Sequence, residues 1–472
     1  NWPNAVPLAE KLASTRESHR MSQFLLGVTA FKSAAYPKAE NHFKAAAENP
    51  IGELTSAIAL GWTRLAAGDT DGALKAVDLP KQPDWAQFYL RYHRALMADI
   101  AGRKAIANAT YEKMFRQDSR TLRTALAYAQ HAAHYGDFKL AKQIMREQLS
   151  KTQGDPHPLA KEMLERINKR EKTELLIATQ SEGLAELFYG LGEALTGEGG
   201  VSLGTIYLQL ALDVKPDHAF ALAALANAQE AAKRYDDAIA TYDRIPKGTP
   251  LQSAIDIRKA FNLNSLDRVD EAKAILERLA ANDPKDVRPL EALGNILRAR
   301  KEYAEAIKYF TRALAALGKH DPRYWGYYYA RGTSYERLKN WPAAEADLKK
   351  ALALAPDQPL VLNYLGYSWI DQGKNLKEGM RLIEKAVQLK PDDGYIVDSL
   401  GWAHYKQNNF KEAVRFLERA VEIKPEDPTL NDHLGDAFWK VGREREARSQ
   451  WSQALSLNPE PEDVDKIKAK IE

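Results

Sequence analysis

Residues 357–459 read DQPLVLNYLGYSWIDQGKNLKEGMRLIEKAVQLKP (357–391), DDGYIVDSLGWAHYKQNNFKEAVRFLERAVEIKP (392–425) and EDPTLNDHLGDAFWKVGREREARSQWSQALSLNP (426–459). The last two lines carry the same types in register: Gly401, Ala413, Leu417, Ala420, Pro425, then Gly435, Ala447, Trp451, Ala454, Pro459. The register recurs earlier as Gly332, Ala344, Leu348, Ala351, Pro356. Working outward, prolines stand at Pro216, Pro250, Pro284, Pro322, Pro356, Pro391, Pro425 and Pro459, in steps of 34, 34, 38, 34, 35, 34 and 34 residues. A fixed period with a fixed phase is the mark of a stacked repeat.

The residue types explain the unit. A glycine inside a helix costs about 1 kcal/mol against alanine, so close approach of a second helix must offset it. Leu365, Leu400 and Leu434, each just before its glycine, fill the seam between the two helices. The proline closes the second helix, having no amide donor and restricting the residue before it. Acids follow it, as in Pro391-Asp392 and Pro425-Glu426, near the next helix start where negative charge is favoured. This helix–turn–helix resembles the tetratricopeptide repeat (TPR), which implies an all-α, right-handed superhelical solenoid of about twelve units.

The pattern weakens toward the N-terminus. Gly192, Gly204, Leu208 and Ala211 lead to Pro216; Gly27, Ala39, Phe43 and Ala46 lead to Pro50; Gly61 and Ala73 open a unit cut short at Pro80. Weaker units cover 88–119 and 122–150. The phase is lost between 151 and 186: Gly154-Asp155-Pro156-His157-Pro158 is a turn, and Leu159 to Ile177 has the pattern of an amphipathic helix. The expected organisation is degenerate repeats over 1–150, a helical linker over 151–186, eight repeats over 187–459 and a capping helix over 460–472.

Composition narrows the function. With 45% hydrophobic and 28% charged residues, and no long apolar run, the chain has the make-up of a globular helical protein. A net charge of +3 does not suit a dedicated nucleic-acid binder. The stretch 101–150 holds nine Lys/Arg against four Asp/Glu, for which a solvated helix face is the simpler reading. The absence of cysteine rules out disulfides, zinc–thiolate sites and thiol catalysis. Asn1 in place of Met leaves room for a signal peptide or lipid-anchor cysteine upstream.

No catalytic constellation and no cofactor motif emerges. His131, His134 and Asp137 have a spacing that puts three ligands on one helix side, against the plainer reading of helix-surface residues. The cluster Gly190, Gly192, Gly197, Gly199, Gly200 lacks the lysine and order of a phosphate loop, and suits helix packing and a turn.

The groove remains. In such a repeat, positions three before, one after and four after the glycine of the first helix face inward. They hold Asn363, Tyr367 and Ile370; Asp398, Trp402 and Tyr405; Asp432, Asp436 and Trp439. Asn and Asp beside aromatic rings suit an extended peptide, whose backbone the polar groups bond. The competing reading packs the rings against neighbouring helices and leaves the acids solvated. Within a second aromatic cluster, Tyr324 to Tyr335, Tyr329 is the ring expected to be exposed. The inward positions lack the Lys, Asn and Arg set of the carboxylate clamp that binds chaperone tails.

The runs Leu362-Asn363-Tyr364-Leu365-Gly366-Tyr367-Ser368-Trp369, Asp393-Gly394-Tyr395-Ile396-Val397-Asp398-Ser399-Leu400-Gly401-Trp402 and Asn431-Asp432-His433-Leu434-Gly435-Asp436-Ala437 resemble a family of exported proteobacterial TPR proteins, many of them outer-membrane lipoproteins. Among these the chain is similar to LbcA-type adaptors. The resemblance implies a non-catalytic periplasmic scaffold, outer-membrane anchored, whose partners are a carboxy-terminal processing protease and substrates such as peptidoglycan hydrolases. The competing expectation is a general assembly scaffold for secretion, pilus or polysaccharide export, with a cytoplasmic location still open.

Overall fold

A computed structural model describes the chain apart from residues 1, 14–19, 80–81, 153–156, 198, 319–320 and 472. Part of the turn expected at Gly154–Pro158 lies outside the described residues. Among the described residues there are 27 α-helices, one 3₁₀ turn and no strand. The chain forms two compact bodies, Asn1–Ala272 and Lys273–Glu472.

The C-terminal body is built as its sequence period requires. Hairpins pair Arg288–Ala299 with Tyr303–Leu317, Trp325–Arg337 with Trp341–Leu354, Pro359–Asp371 with Leu376–Leu389, Gly394–Lys406 with Phe410–Ile423, and Pro428–Lys440 with Glu444–Ser456. First helices of neighbouring repeats touch, as do Pro359–Asp371 with Gly394–Lys406 and Gly394–Lys406 with Pro428–Lys440. Leu365, Leu400 and Leu434 are buried in the seam as expected, each contributing about 1.5–3 kcal/mol. At Gly401 a Cβ would lie 2.6 Å from Leu417 Cγ, so the two helices meet where only glycine fits. Acids cap the next helix: Asp393 accepts from the amides of Tyr395 and Ile396, and Asp427 from those of Thr429 and Leu430.

The turns inside the repeats carry a second period. Within the hairpins, left-handed backbone falls at Ala34, Gly68, Gly102, Gly136, Gly199, Lys233, Asp267, Lys301, Lys339, Gly373, Asn408 and Gly442. The 34-residue spacing of Gly68, Gly102 and Gly136 shows that the degenerate half keeps time. Glycine meets no steric penalty in that conformation.

After the helix Trp2–Ala13, which packs on Arg20–Lys32, the N-terminal body holds four hairpins, whose first helices are Arg20–Lys32, Pro50–Ala66, Asp84–Ile100 and Leu122–His134. A fifth first helix, Pro158–Asn168, follows, but the expected helix through Ile177 stops at Asn168. Arg170 turns left-handed, and the chain then runs without helix, held by Thr173 Oγ1 donating to Gln130 O and by burial of Ile177. The chain next forms the helix Gln180–Gly197, which packs against Pro50–Ala66 and Asp84–Ile100, while its partner Val201–Val214 packs against Arg20–Lys32. The sequence places the joint between arrays at 151–186, whereas the bodies part within the helix Val269–Asn282. The cause is this return packing, which ties the hairpins after residue 180 to the first ones.

Candidate peptide-binding groove

In the N-terminal body the inward face is filled by the chain itself. Phe24 lies against Phe188 and Tyr207, with ring centroids 6.1 and 6.0 Å away. A Cβ on Gly183 would sit 2.3 Å from the ring of Trp62, so the returning helix rests directly on that indole. Glu186 accepts from Tyr92 OH at 2.9 Å and from Arg123 Nε and Nη2 at 3.0 and 2.5 Å, with His218 Nε2 at 3.5 Å. Burial opposes the Glu186 charge, but Arg123 and His218 outweigh it and hold the carboxyl well below its usual range. Sequence reading missed this filled groove; Gly183, two turns before Gly190 and Gly192, was the available signal.

The C-terminal body differs. Among its described residues, the helix beyond the repeats, Pro461–Ile471, reaches a first helix only at the last repeat, where Lys470 bonds Asp432 and Asp436. Tyr329 was expected to be exposed but is half-buried, wedged between Trp325 and Tyr364 at 6.1 and 5.8 Å. A ring one turn earlier on its own helix and one from the next first helix meet there, which removes it as a free contact. Tyr364 OH donates to Glu336 at 3.0 Å. A cleft of about 480 Å³ opens beside them, lined by Glu336, Trp341, Tyr364, Tyr367 and Asp371 among others. Tyr367 is half-buried, and burial, then the carboxylates of Asp371, Asp398 and Glu336, push its hydroxyl far up. Two polar atoms nearby are buried without a protein partner, Asn363 Oδ1 and Trp341 Nε1. Ile370 is buried and faces Gly379, so it belongs to the core.

The next two repeats hold the remaining candidates. Trp402 stacks on Tyr405 at 4.6 Å and on His433 at 3.9 Å, forming a half-buried aromatic platform. Asp398 is buried beneath it, and both its oxygens lie 3.0 Å from His433 Nδ1. Burial alone would lower the His433 pKa; Asp398 outweighs it and the value is raised. Asp432 and Asp436 are not merely solvated, because Lys470 of the helix Pro461–Ile471 bonds both. Trp439 is 41% exposed and packs beside Trp451, with Arg448 over its ring. The structure thus gathers Trp402, Tyr405, Asp398 and His433 into one cluster and Asp432, Asp436 and Lys470 into another.

The other sequence candidates disperse. His131 is buried against Asp99, His134 Nδ1 lies 2.8 Å from Thr173 O, and Asp137 caps the helix Phe138–Lys151. Among the described residues no three metal-ligating side chains come together. Gly192 packs against Leu208, and Gly199 makes the turn to the next helix. No helix of the described residues is long and apolar enough to cross a membrane.

Comparison with known proteins agrees with this architecture. Tetratricopeptide-repeat family models match residues 285–357, 397–427, and 207–252 with 329–394. A TPR repeat-containing protein of Pseudomonas aeruginosa, PA4667, is 31% identical over 196 residues, 40% of this chain and 31% of that protein. A shorter match, 36% over 74 residues, is to a UDP-N-acetylglucosamine–peptide N-acetylglucosaminyltransferase of Giardia intestinalis, covering 16% of this chain and 5% of that enzyme. The matches therefore span a third or less of these relatives' lengths. Among solved structures, the Cut9–Hcn1 complex of APC/C aligns at 15% identity and TM-score 0.43 over 100% of this chain and 99% of that one. Yeast Tom70 aligns at 15% and 0.43 over 88% and 94%. The repeat register, the recurring left-handed turns and the family-model matches together make the chain an all-α protein built of tetratricopeptide repeats.

Proposed function

We propose that the chain is a non-catalytic scaffold that grips extended peptide segments along the first helices of its C-terminal body, and that it serves as a periplasmic, outer-membrane-anchored adaptor. In this role it holds a carboxy-terminal processing protease and substrates such as peptidoglycan hydrolases together, raising the local concentration of one at the other. The observation that carries the binding role is the half-buried platform of Trp402 and Tyr405, beside polar side chains, in a body whose first helices are reached by the helix Pro461–Ile471 only at the last repeat. Stacked rings offer contact area at small entropic cost, and side-chain amides and acids bond a peptide backbone. The adaptor role is supported by the motif resemblance at 362–369, 393–402 and 431–437, and the Pseudomonas aeruginosa relative supports the repeat architecture beneath it.

The test is capture from an envelope extract of the source organism, with bound proteins identified by mass spectrometry, followed by a degradation assay with and without the chain. Co-capture of the protease with a cell-wall hydrolase, and faster hydrolase degradation when the chain is added, is the expected result. Capture of secretion, pilus or polymer-export components instead sinks the adaptor role and leaves a general assembly scaffold.

A further inference from the structure

The far end of the groove is occupied by the chain's own lysine. The helix Pro461–Ile471 packs on Glu444–Ser456 and brings Lys470 Nζ to 2.8 and 2.9 Å from the Asp432 oxygens and 2.9 Å from Asp436 Oδ2. Trp451 Nε1 donates to Asp436 Oδ1 at 3.1 Å and fixes that carboxylate, while its ring lies 6.0 Å from the ammonium. Two carboxylates, one of them oriented by an indole, beside an aromatic face are the groups that recognise a primary ammonium.

The plug is lightly held. Ile467 is the buried residue of its helix, and Ile471 packs partly against the same core. Withdrawing Lys470 leaves two partly buried carboxylates facing each other without a counter-charge, a costly arrangement that favours entry of another cation. The aromatic platform adjoins the site: Trp402 stacks at 3.9 Å on His433, the residue after Asp432 in the helix Pro428–Lys440. A peptide lying on Trp402 and Tyr405 would therefore bring its side chains toward the acid pair.

We propose that Lys470 is an internal stand-in for a lysine of the bound peptide, and that the terminal helix competes with lysine-bearing segments for this end of the groove. The proposal rests on the peptide-groove reading above and adds both a ligand class and a built-in competitor. Of the nearby cations, Lys406 pairs with Asp371, Lys440 lies over Phe410, and His433, beside Asp432 in the chain, directs its Nδ1 to Asp398.

The experiment measures polarisation of a short labelled Ala/Ser peptide bearing one lysine, against its acetyl-lysine counterpart, on the full chain. Lys470→Ala should tighten binding of the lysine peptide about tenfold or more, with no gain for the acetyl-lysine peptide. Adding Asp432→Asn and Asp436→Asn should abolish the gain. Ile467→Ala, which loosens the helix while keeping Lys470, should give part of it. Lys470→Gln serves as a second variant if the alanine form melts early. Equal gain for both peptides, or none in either Lys470 variant, overturns the plug. If partner capture still depends on Trp402 and Tyr405 in that event, the groove stands and the plug alone fails; if capture ignores those rings, the groove reading fails as well.

Discussion

Both bodies are made of the same hairpin, yet they use its inner face in opposite ways. In the N-terminal body Phe24, Trp62, Tyr92 and Arg123, from four successive first helices, converge on the chain's own helix Gln180–Gly197. In the C-terminal body the corresponding helices present Asn363, Tyr367, Trp402 and Tyr405, and among the described residues the helix Pro461–Ile471 reaches a first helix only at the last repeat. The difference lies in what spans the helices: Glu186 gathers donors from Tyr92 and Arg123 on two first helices and from His218 at the start of a further helix, whereas Trp402 stacks on His433 of the adjoining first helix. The inner face of the N-terminal body is thus filled by its own chain, while the peptide-binding role proposed for the C-terminal body rests on first helices left largely uncovered.

Breaking the filled groove should give the largest effect. Glu186→Ala leaves the Arg123 charge mostly buried and unpaired, and removing one partner of such a pair costs about 3–5 kcal/mol. Urea denaturation followed by probes in each body should show the N-terminal body unfolding first, with the C-terminal midpoint unmoved. Loss of less than about 1 kcal/mol would mean that the return helix is not held by this carboxylate.

Acid should attack the same body next. His93 is buried, and its Nδ1 accepts from Trp62 Nε1 at 3.0 Å, so the ring must stay neutral there. Burial lowers its pKa from 6.5 to about 4. The folded value lies below the unfolded one, so this contribution is whole above pH 6.5 and is lost as pH falls from 6.5 toward 4. The loss comes to about 3 kcal/mol. Stability measured from pH 7 to pH 4 in the chain and in His93→Phe should diverge, the variant showing the flatter profile. Parallel profiles would mean that His93 does not drive the acid response.

The sequence announced the C-terminal body almost completely and the N-terminal one only in part. Gly401, Ala413, Leu417 and Ala420 fix one hairpin because each is set by its neighbours within the same period, a local constraint. The same holds for the turn glycines Gly68, Gly102 and Gly136, whose 34-residue spacing marked the degenerate repeats more clearly than their prolines did. The seat of Gly183 on Trp62 joins residues 121 positions apart, and no period carries such a contact. The sequence offered candidate groove positions but not the state of each: Asp432 and Asp436 meet Lys470 from outside their repeat, and Tyr329 is wedged between Trp325 of its own helix and Tyr364 of the next repeat.

Within the C-terminal body, core and groove should separate by size. Gly401→Leu drives a side chain into Leu417, 2.6 Å from where the first carbon would stand, and should cost about 1–3 kcal/mol. Unchanged melting of that variant would contradict the repeat register. Trp402→Ala with Tyr405→Ala removes a half-buried stack, so a smaller loss of about 1–2 kcal/mol is expected. Partner capture should weaken by about tenfold or more in the same variant. Equal capture would show that the platform only packs.

The smallest effect sharpens the contrast most directly, because it sets one histidine against another. His433 and His93 are both poorly exposed, and burial pushes both toward the neutral form. His433 differs in having Asp398, both of whose oxygens lie 3.0 Å from Nδ1, and its pKa ends raised where that of His93 is lowered. The folded value of His433 lies above the unfolded one. Its contribution is therefore full below pH 6.5 and is lost as pH rises through the raised value, the reverse of His93. Asp398→Asn removes the charge while keeping the shape, so burial alone should then act and carry the His433 pKa below 6.5. Ring-proton NMR titration of the two forms reads the reversal. A value that stays raised in Asp398→Asn would assign the shift to Asp432 and Asp436 instead, and with it the charge that steadies the Trp402 platform.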